Sequence, residues 1–335
     1  MRAIVQAAAR PIEHPESLVD VELADPTPGP HDLLVRVEAI SVNPVDTKLR
    51  AGVTPDEPRV LGWDAVGIVV SVGAEVEGFD VGQRVWYAGD LQRSGSNSEL
   101  QAVDARLASL APTSLTPSEA AALPLTAITA WEILFERLQL PVGKAPSDQV
   151  LLVSGAAGGV GSILLQLAAR LTAVTIVATA GRPASRAWVE GLGAHHVISY
   201  HEPLGPQLDA LGLSVTHVAS LTHSEHYVSQ FIELLAPFGH LALIDDPPTL
   251  DVVPMKAKSL SLHWELMFTR SLFGVQLAAQ GRLLAEVAAL VDAGVLRTTV
   301  SRELGTICAA NLRTAHAALE KGGGQGKIVL AGFGA

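Results

Sequence analysis

The run Leu151-Leu152-Val153-Ser154-Gly155-Ala156-Ala157-Gly158-Gly159-Val160-Gly161 carries the sharpest chemical signal in this chain. A short apolar strand feeds closely spaced glycines and then an amphipathic helix that reaches about Leu171. Glycine lets the main chain turn sharply and approach a pyrophosphate, whose charge the open backbone N–H groups at a helix N-terminus can meet. The chemistry implied is dinucleotide binding, and hence hydride transfer with a nicotinamide. Glycine-rich turns also join strands to helices with nothing bound, so the spacing alone does not decide. The residues downstream do: Thr175 to Thr179 is β-branched and alanine-rich, as a second buried parallel strand should be.

The end of that second strand is where cofactor choice is made. An NAD site places a carboxylate there, roughly twenty residues beyond the glycines, to accept the ribose 2′-hydroxyl. Here the sequence reads Thr179-Ala180-Gly181-Arg182-Pro183. No acid repels a 2′-phosphate, and Arg182 brings a planar fork of donors that suits one, with Ser185 a second donor. NADPH is therefore expected over NADH; otherwise Arg182 is a solvated loop cation.

The elements that must position these residues are legible from rhythm. The first 120 or so residues alternate short β-rich runs (Leu33 to Val37, Ala65 to Val72, Arg84 to Tyr87, Glu99 to Val103) with Gly and Pro turns, which suits a compact, mostly antiparallel barrel. From about Leu123 to Trp264, strands near Val150, Ile176, Val197, Val218 and Leu241 alternate with helical stretches, the pattern of a doubly wound parallel sheet. Helices then follow at about Gly281 to Val291 and Ala309 to Lys321, with a closing strand Lys327 to Ala331. No internal repeat is visible.

Composition narrows the partners. At 335 residues and 48% apolar, the chain fits two well-buried domains. A net charge of −11 argues against nucleic acid and anionic membrane, leaving a small molecule. The single cysteine, Cys308, makes no intramolecular disulfide and completes no thiolate zinc site, which suits a reducing cytoplasm. No stretch reaches about eighteen uninterrupted apolar residues, and the N-terminus lacks a signal-peptide core, so a soluble cytoplasmic protein is expected.

Over essentially its whole length the chain resembles the medium-chain dehydrogenase/reductase superfamily. The specific stretches are Gly62-Trp63-Asp64-Ala65-Val66-Gly67 and Gly78-Phe79-Asp80-Val81-Gly82-Gln83-Arg84-Val85. With Ser41-Val42-Asn43-Pro44-Val45-Asp46 and Ala121-Ala122-Leu123-Pro124-Leu125-Thr126, they are similar to the quinone oxidoreductase branch. Ala242 to Pro247 and Ser261 to Ser271 resemble a bacterial subgroup labelled zinc-type alcohol dehydrogenase-like. The resemblance implies a GroES-like β-barrel catalytic domain from residues 1–123, closed by 265–335, around a Rossmann NADPH-binding domain, 124–264, with the active cleft at their junction.

In zinc-bearing relatives Cys, His and Cys hold the catalytic ion, and the matching positions here are Asn43, Trp63 and Leu125. None offers a thiolate or an imidazole, so no zinc is expected. The four-cysteine lobe of those relatives is replaced by a short polar loop, Gly89 to Ser98. Alkoxide chemistry needs a Lewis acid, whereas an electron-poor quinone or α,β-unsaturated carbonyl does not. The expected activity is NADPH-dependent reduction of such an acceptor. Two other readings stay open: a zinc-dependent alcohol dehydrogenase, and an NADPH-binding sensor without significant turnover.

Carried over residue by residue, the resemblance assigns cofactor contacts to Gly155, Gly158, Gly159, Val160, Gly161, Gly181, Arg182, Ser185, Tyr200 and Ile244. It places Asn43, Asp46, Lys48 and Thr129 beside the nicotinamide. Several quinone reductases have Tyr where this chain has Lys48, whose ammonium either stabilises an oxyanion or is plain surface lysine. Thr129 either packs on the nicotinamide or bonds its own helix backbone. His263, Trp264 and Glu265 are adjacent on a strand and cannot all face one substrate; the resemblance makes the strand near Leu260 to Trp264 a homodimer interface. His195 and His196 are read as packing residues, since no carboxylate or thiol lies at ligand spacing.

Overall fold

The computed structural model describes residues 1–334, which form two compact units: Met1–Ile128 together with the chain from Phe268 onward, and Thr129–Met267. The first unit opens with β1 (Arg2–Gln6), β2 (Val19–Glu22), β3 (Asp32–Ser41) and α1 (Pro44–Gly52). It continues with β4 (Arg59–Val60), β5 (Asp64–Val72), β6 (Arg84–Tyr87), β7 (Leu100–Asp104) and β8 (Ala108–Leu110). Helices α2 (Pro117–Ala121) and α3 (Pro124–Trp131) follow, and α3 runs on into a π-helical stretch, Glu132–Arg137.

The second unit alternates strand and helix: β9 (Val150–Ser154), α4 (Gly159–Leu171), β10 (Thr175–Thr179), α5 (Pro183–Gly191), β11 (His196–Ile198), α6 (Leu204–Leu211), β12 (Val215–Ser220), α7 (Ser224–Leu234), β13 (Leu235–Leu243) and β14 (Ser261–Trp264). Every pairing in its sheet is parallel, in the order β11-β10-β9-β12-β13-β14. That is the Rossmann arrangement, with chain order reversing between β9 and β12. β9 is buried at all five positions because helices cover both its faces, so its sequence is a continuous apolar run rather than an alternation.

The chain then returns to the first unit through α8 (Thr269–Phe273), α9 (Leu277–Asp292), β15 (Val300–Glu303), α10 (Ala309–Glu320) and β16 (Lys327–Ala331). β16 pairs antiparallel with β3, Val329 opposite Ser41, and so completes a sheet ordered β15-β16-β3-β5-β6-β8, with β7 also on β3. A smaller sheet runs β2-β1-β4. These pairings explain where local sequence falls short. The strand expected over Leu33 to Val37 extends to Ser41, because Ala39–Ser41 find partners in the distant Val329–Ala331. The helix expected from Gly281 starts a turn earlier, at Leu277, after Gln276 in the left-handed region. The polar loop Gly89 to Ser98 ends in buried residues, Ser96, Asn97 and Ser98; Ser96 and Asn97 donate to Gly62 O and Leu61 O, and Asn97 O accepts the Ile4 N–H. Among the described residues no helix is long and apolar enough to cross a membrane.

One buried group on α10 sets an acid limit on the first unit. His316 is fully buried, neither ring nitrogen has a partner, and the Arg50 guanidinium is nearby. Arg50 is itself buried and donates to Arg10 O and to Glu320. Burial, then the Arg50 charge, pushes the imidazole down to about 3. Between that value and the ordinary imidazole range only the unfolded chain takes up the proton, so stability falls as pH drops below about 6.5. We expect His316→Leu to spare the protein about 2 kcal/mol of the loss between pH 7 and pH 5, measured by urea unfolding. Equal losses in the two proteins would show that His316 takes up its proton in the folded state.

Candidate active site

The glycine elbow sits at the carboxyl end of β9, where the chain order of the sheet reverses and ligands of open α/β sheets gather. Gly155 has φ +74, and a Cβ there would lie 3.0 Å from Thr222 Cγ2, so only glycine serves. The Gly158 N–H donates to Gly155 O at 3.0 Å, closing the turn, and Gly158 is the N-cap of α4. Gly161 lets α4 approach the turn: a Cβ would lie 2.6 Å from the Ala156 carbonyl carbon. Gly159 and Val160 begin the helix, and helix geometry gives the first-turn N–H groups of Gly159, Val160 and Gly161 no intrahelical acceptor. Open first-turn donors and the positive end of the helix dipole are the features that favour an anion at such a position.

The residues chosen for the adenosine end meet at the ends of β10 and β11. Gly181 follows β10, and a Cβ on it would come within 2.6 Å of Tyr200 Cζ, so the Tyr200 ring lies directly against the main chain there. Tyr200 is partly exposed and packs on His201, ring centroids 4.5 Å apart. Arg182 is exposed at the N-cap of α5. Ser185 is buried, and its hydroxyl donates to Arg182 O at 3.0 Å, so it shapes the turn that presents Arg182. Sequence reasoning missed His201, whose ring also closes on Gly181; an imidazole following Tyr200 beyond a strand end was the available signal. Ile244 follows β13 and is half-buried; the next residue, Asp245, accepts from Ser224 N–H at 2.8 Å and from its hydroxyl at 2.5 Å, fixing the start of α7.

In the first unit, Asn43 and Asp46 belong to a buried polar knot centred on Asp64. One Asp64 oxygen accepts from Ser41 Oγ at 2.6 Å, Asn43 Nδ2 at 2.8 Å and Lys327 Nζ at 3.1 Å. The other accepts the Leu125 N–H at 2.7 Å, at the positive end of α3. Lys327 also donates to Val42 O at 2.9 Å and to Asn43 Oδ1. Asp46 accepts the Asn43 N–H at 2.6 Å at the start of α1; burial nevertheless raises its carboxyl to about 7, against the pull of that hydrogen bond and of Lys327. Lys48 is exposed on α1. Neither Asp64 nor Lys327 was assigned a role from the sequence, because an Asp in a strand and a Lys 263 residues on carry no local signal of pairing.

Thr129 opens the second unit and is buried on α3. One turn on, Glu132 is buried at the start of the π-helical stretch beside Glu265, whose Oε2 accepts from Arg137 Nε at 2.8 Å. Burial and the neighbouring Glu132 carboxyl push Glu265 upward, so the pair holds a proton. Trp264 beside it is half exposed, as alternation along a strand requires. His217, His240 and His263 stack across β12, β13 and β14, centroids 5.1 and 5.7 Å apart, and desolvation lowers His217 to about 4. His195 Nδ1 accepts the Ile176 N–H at 2.9 Å, a structural contact at the edge of β10.

Comparison with known proteins agrees with this arrangement. The alcohol dehydrogenase GroES-like domain family matches residues 29–112, and the zinc-binding dehydrogenase family matches 192–330. A zinc-type alcohol dehydrogenase-like protein of Staphylococcus aureus is 36% identical over 313 residues, covering 92% of this chain and 93% of that one. A solved putative zinc-dependent alcohol dehydrogenase from Rhizobium etli superposes with TM-score 0.96 at 47% identity, covering 100% and 99%. The Coxiella burnetii quinone oxidoreductase gives 0.81 at 26%, covering 99% of each chain. A mycobacterial protein solved with NADPH gives 0.82 at 27%, covering 99% and 100%.

Two buried charges allow direct tests. Lys327→Met should cost about 3 to 5 kcal/mol in urea unfolding, because it strands the Asp64 carboxylate, and Asp64→Asn in the same chain should recover most of that. A small loss without recovery would mean the knot is not a coupled pair. Glu265 is a raised acid, so the folded state holds its proton where the unfolded chain has released it, and stability falls as pH rises from the ordinary carboxyl range through neutrality. Glu265→Gln, isosteric with the protonated acid, should flatten that fall between pH 5 and 8; a parallel decline in both proteins would place the proton elsewhere.

Proposed function

The chain belongs to the medium-chain dehydrogenase/reductase superfamily, and from that membership we propose that it is an NADPH-dependent reductase of quinones or α,β-unsaturated carbonyl compounds that works without zinc. The observation that carries this reading is the saturated knot around Asp64. Zinc needs thiolate, imidazole or carboxylate lone pairs. At the three positions matched to ligands of zinc-bearing relatives, the Asn43 amide is already committed to Asp64 and Lys327. The Trp63 indole N–H donates to Asp90 O at 3.1 Å and has no lone pair to give, and Leu125 has no donor side chain. The Lys327 ammonium already supplies a positive charge among these residues. They do not fit the ion.

When bound, the dinucleotide supplies the hydride. The first-turn amides of α4 hold its pyrophosphate, with Gly155, Gly158 and Gly161 shaping the approach. Arg182, with Gly181 and Tyr200 beside it, takes the 2′-phosphate; the absence of an acid at the end of β10 favours NADPH over NADH. Reduction of an activated acceptor leaves negative charge on oxygen, which hydrogen-bond donors and a proton can meet without a Lewis acid. We assign that task to the Lys48 ammonium, the Thr129 hydroxyl and the Asp46 carboxyl, which burial keeps partly protonated near neutral pH. The structural likeness to a quinone oxidoreductase and to a protein solved with NADPH supports the same substrate and cofactor class. We further propose a homodimer through β14, the outermost strand of its sheet, where Trp264 and Leu266 are half exposed.

The test follows NADPH oxidation against quinones, enones and 2-alkenals before and after dialysis against a chelator. Turnover is expected with at least one class and should survive the chelator. Activity lost to the chelator and restored by zinc would overturn the zinc-free reading, and silence across the panel with tight NADPH binding would favour a sensor. Arg182→Ala should raise the KM for NADPH about tenfold or more, the scale of one lost charge-assisted pair, while leaving NADH unchanged. Equal effects on the two would remove Arg182 from the phosphate site.

A further inference from the structure

We propose a divalent transition-metal site at the start of α7, formed by His223, Glu225 and His226 and unrelated to the zinc position discussed above. Glu225 Oε1 lies 3.7 Å from His223 Nδ1 and 3.5 Å from His226 Nε2, and all three ligand atoms fall within 4.8 Å of one another. For a tetrahedral ion with metal–ligand distances near 2.0–2.1 Å, the ligand–ligand edge is about 3.4 Å. Both measured edges are therefore within a few tenths of an ångström of what zinc requires. Two imidazoles and a carboxylate are a recurrent zinc donor set that leaves the fourth position for water.

The backbone organises the trio in advance. His223 is the N-cap of α7, in the left-handed region at φ 53, and Glu225 and His226 lie in the first helical turn. Cap and third helical position face the same side of a helix start. The intervening Ser224 is buried, with its N–H and hydroxyl both bonded to Asp245, so the turn bearing the ligands is pinned from below. Asp245 is thereby occupied and is not a ligand. The His223 and His226 rings stack at 5.9 Å, 17° from parallel, and each presents a ring nitrogen within 3.7 Å of Glu225 Oε1. The site begins one residue after Thr222, whose methyl group lies against Gly155. The exposed trio is reached from solvent without opening the fold.

Metal-free full-length protein titrated with Zn²⁺ at pH 7.5, by calorimetry and by competition with a chromogenic chelator, tests the site. One equivalent should bind, and His226→Ala should weaken it at least tenfold. The double variant His223→Ala/His226→Ala should abolish it with the circular dichroism and melting temperature unchanged, whereas Cys308→Ser should leave it intact. Co²⁺ in the same site should give the intense visible bands of four- or five-coordination without a thiolate charge-transfer band. Acidification to pH 5.5 should loosen the ion, because protons compete for the imidazole lone pairs. No uptake by the wild type, or equal affinity in the double variant, would overturn the proposal. Neither outcome bears on NADPH turnover.

Discussion

Everything in the first unit converges on one buried carboxylate. Asp64 on β5 ties together Ser41 at the end of β3, Asn43 just before α1, the Leu125 amide at the start of α3 and Lys327 on β16. These segments span almost the whole chain, and the last belongs to the piece that returns after the second unit is complete. A carboxylate removed from water is stable only if its lone pairs find donors with good geometry. Here an ammonium, a hydroxyl, a side-chain amide and a backbone N–H provide them. Completing the knot therefore requires both halves of the first unit to be in place, so the sequence-distant tail is an integral part of the sheet.

The two units handle polar groups in opposite ways. Around Asp64 every donor is matched internally, and positions that could have offered lone pairs to a metal have none left. At the elbow the chain does the reverse. Glycine at 155, 158 and 161 strips away side chains, and the helix start leaves backbone donors with no internal acceptor. An anion completes that arrangement, which is why the elbow reads as a binding site and the knot as a structural one. The contrast underlies the division of labour proposed above, with the dinucleotide assigned to the second unit and the knot to the architecture of the first.

Legibility followed the range of the interactions. The Rossmann half was readable because its signals are local: an apolar run, glycines, a helix, a β-branched strand, all within thirty residues. β6, β10 and β16 fall where their sequences put them, since β-branched runs bounded by turn residues admit little else. The ends of β3 and α9 differ from the sequence reading because contacts outside the local window decide them. The same holds for the site. Arg182 and the glycines lie where a local motif puts them, Ser185 is buried and shapes the turn beneath Arg182, and the contacts of Asp64, Lys327, Glu132 and His201 depend on neighbours outside any local window.

In the zinc-free reaction proposed above, developing charge is met by protons and hydrogen-bond donors, and the buried acids of this protein bear on that. Asp46 sits near neutrality and Glu265 is held protonated, each because burial penalises its anion more than its partners stabilise it. The two are not equivalent. Glu265 is clamped between Arg137 and Glu132, so its proton serves to keep two buried carboxyls from repelling each other. The Asp46 carboxyl accepts from the Asn43 main chain and from its own backbone N–H, and burial outweighs both, raising it to about 7. Ionisation of Asp46 is coupled to Asp64 and Lys327, which push it in opposite directions, so the knot that organises the first unit also sets how readily this proton leaves. The structural constraint and the acid–base chemistry thus rest on the same few atoms.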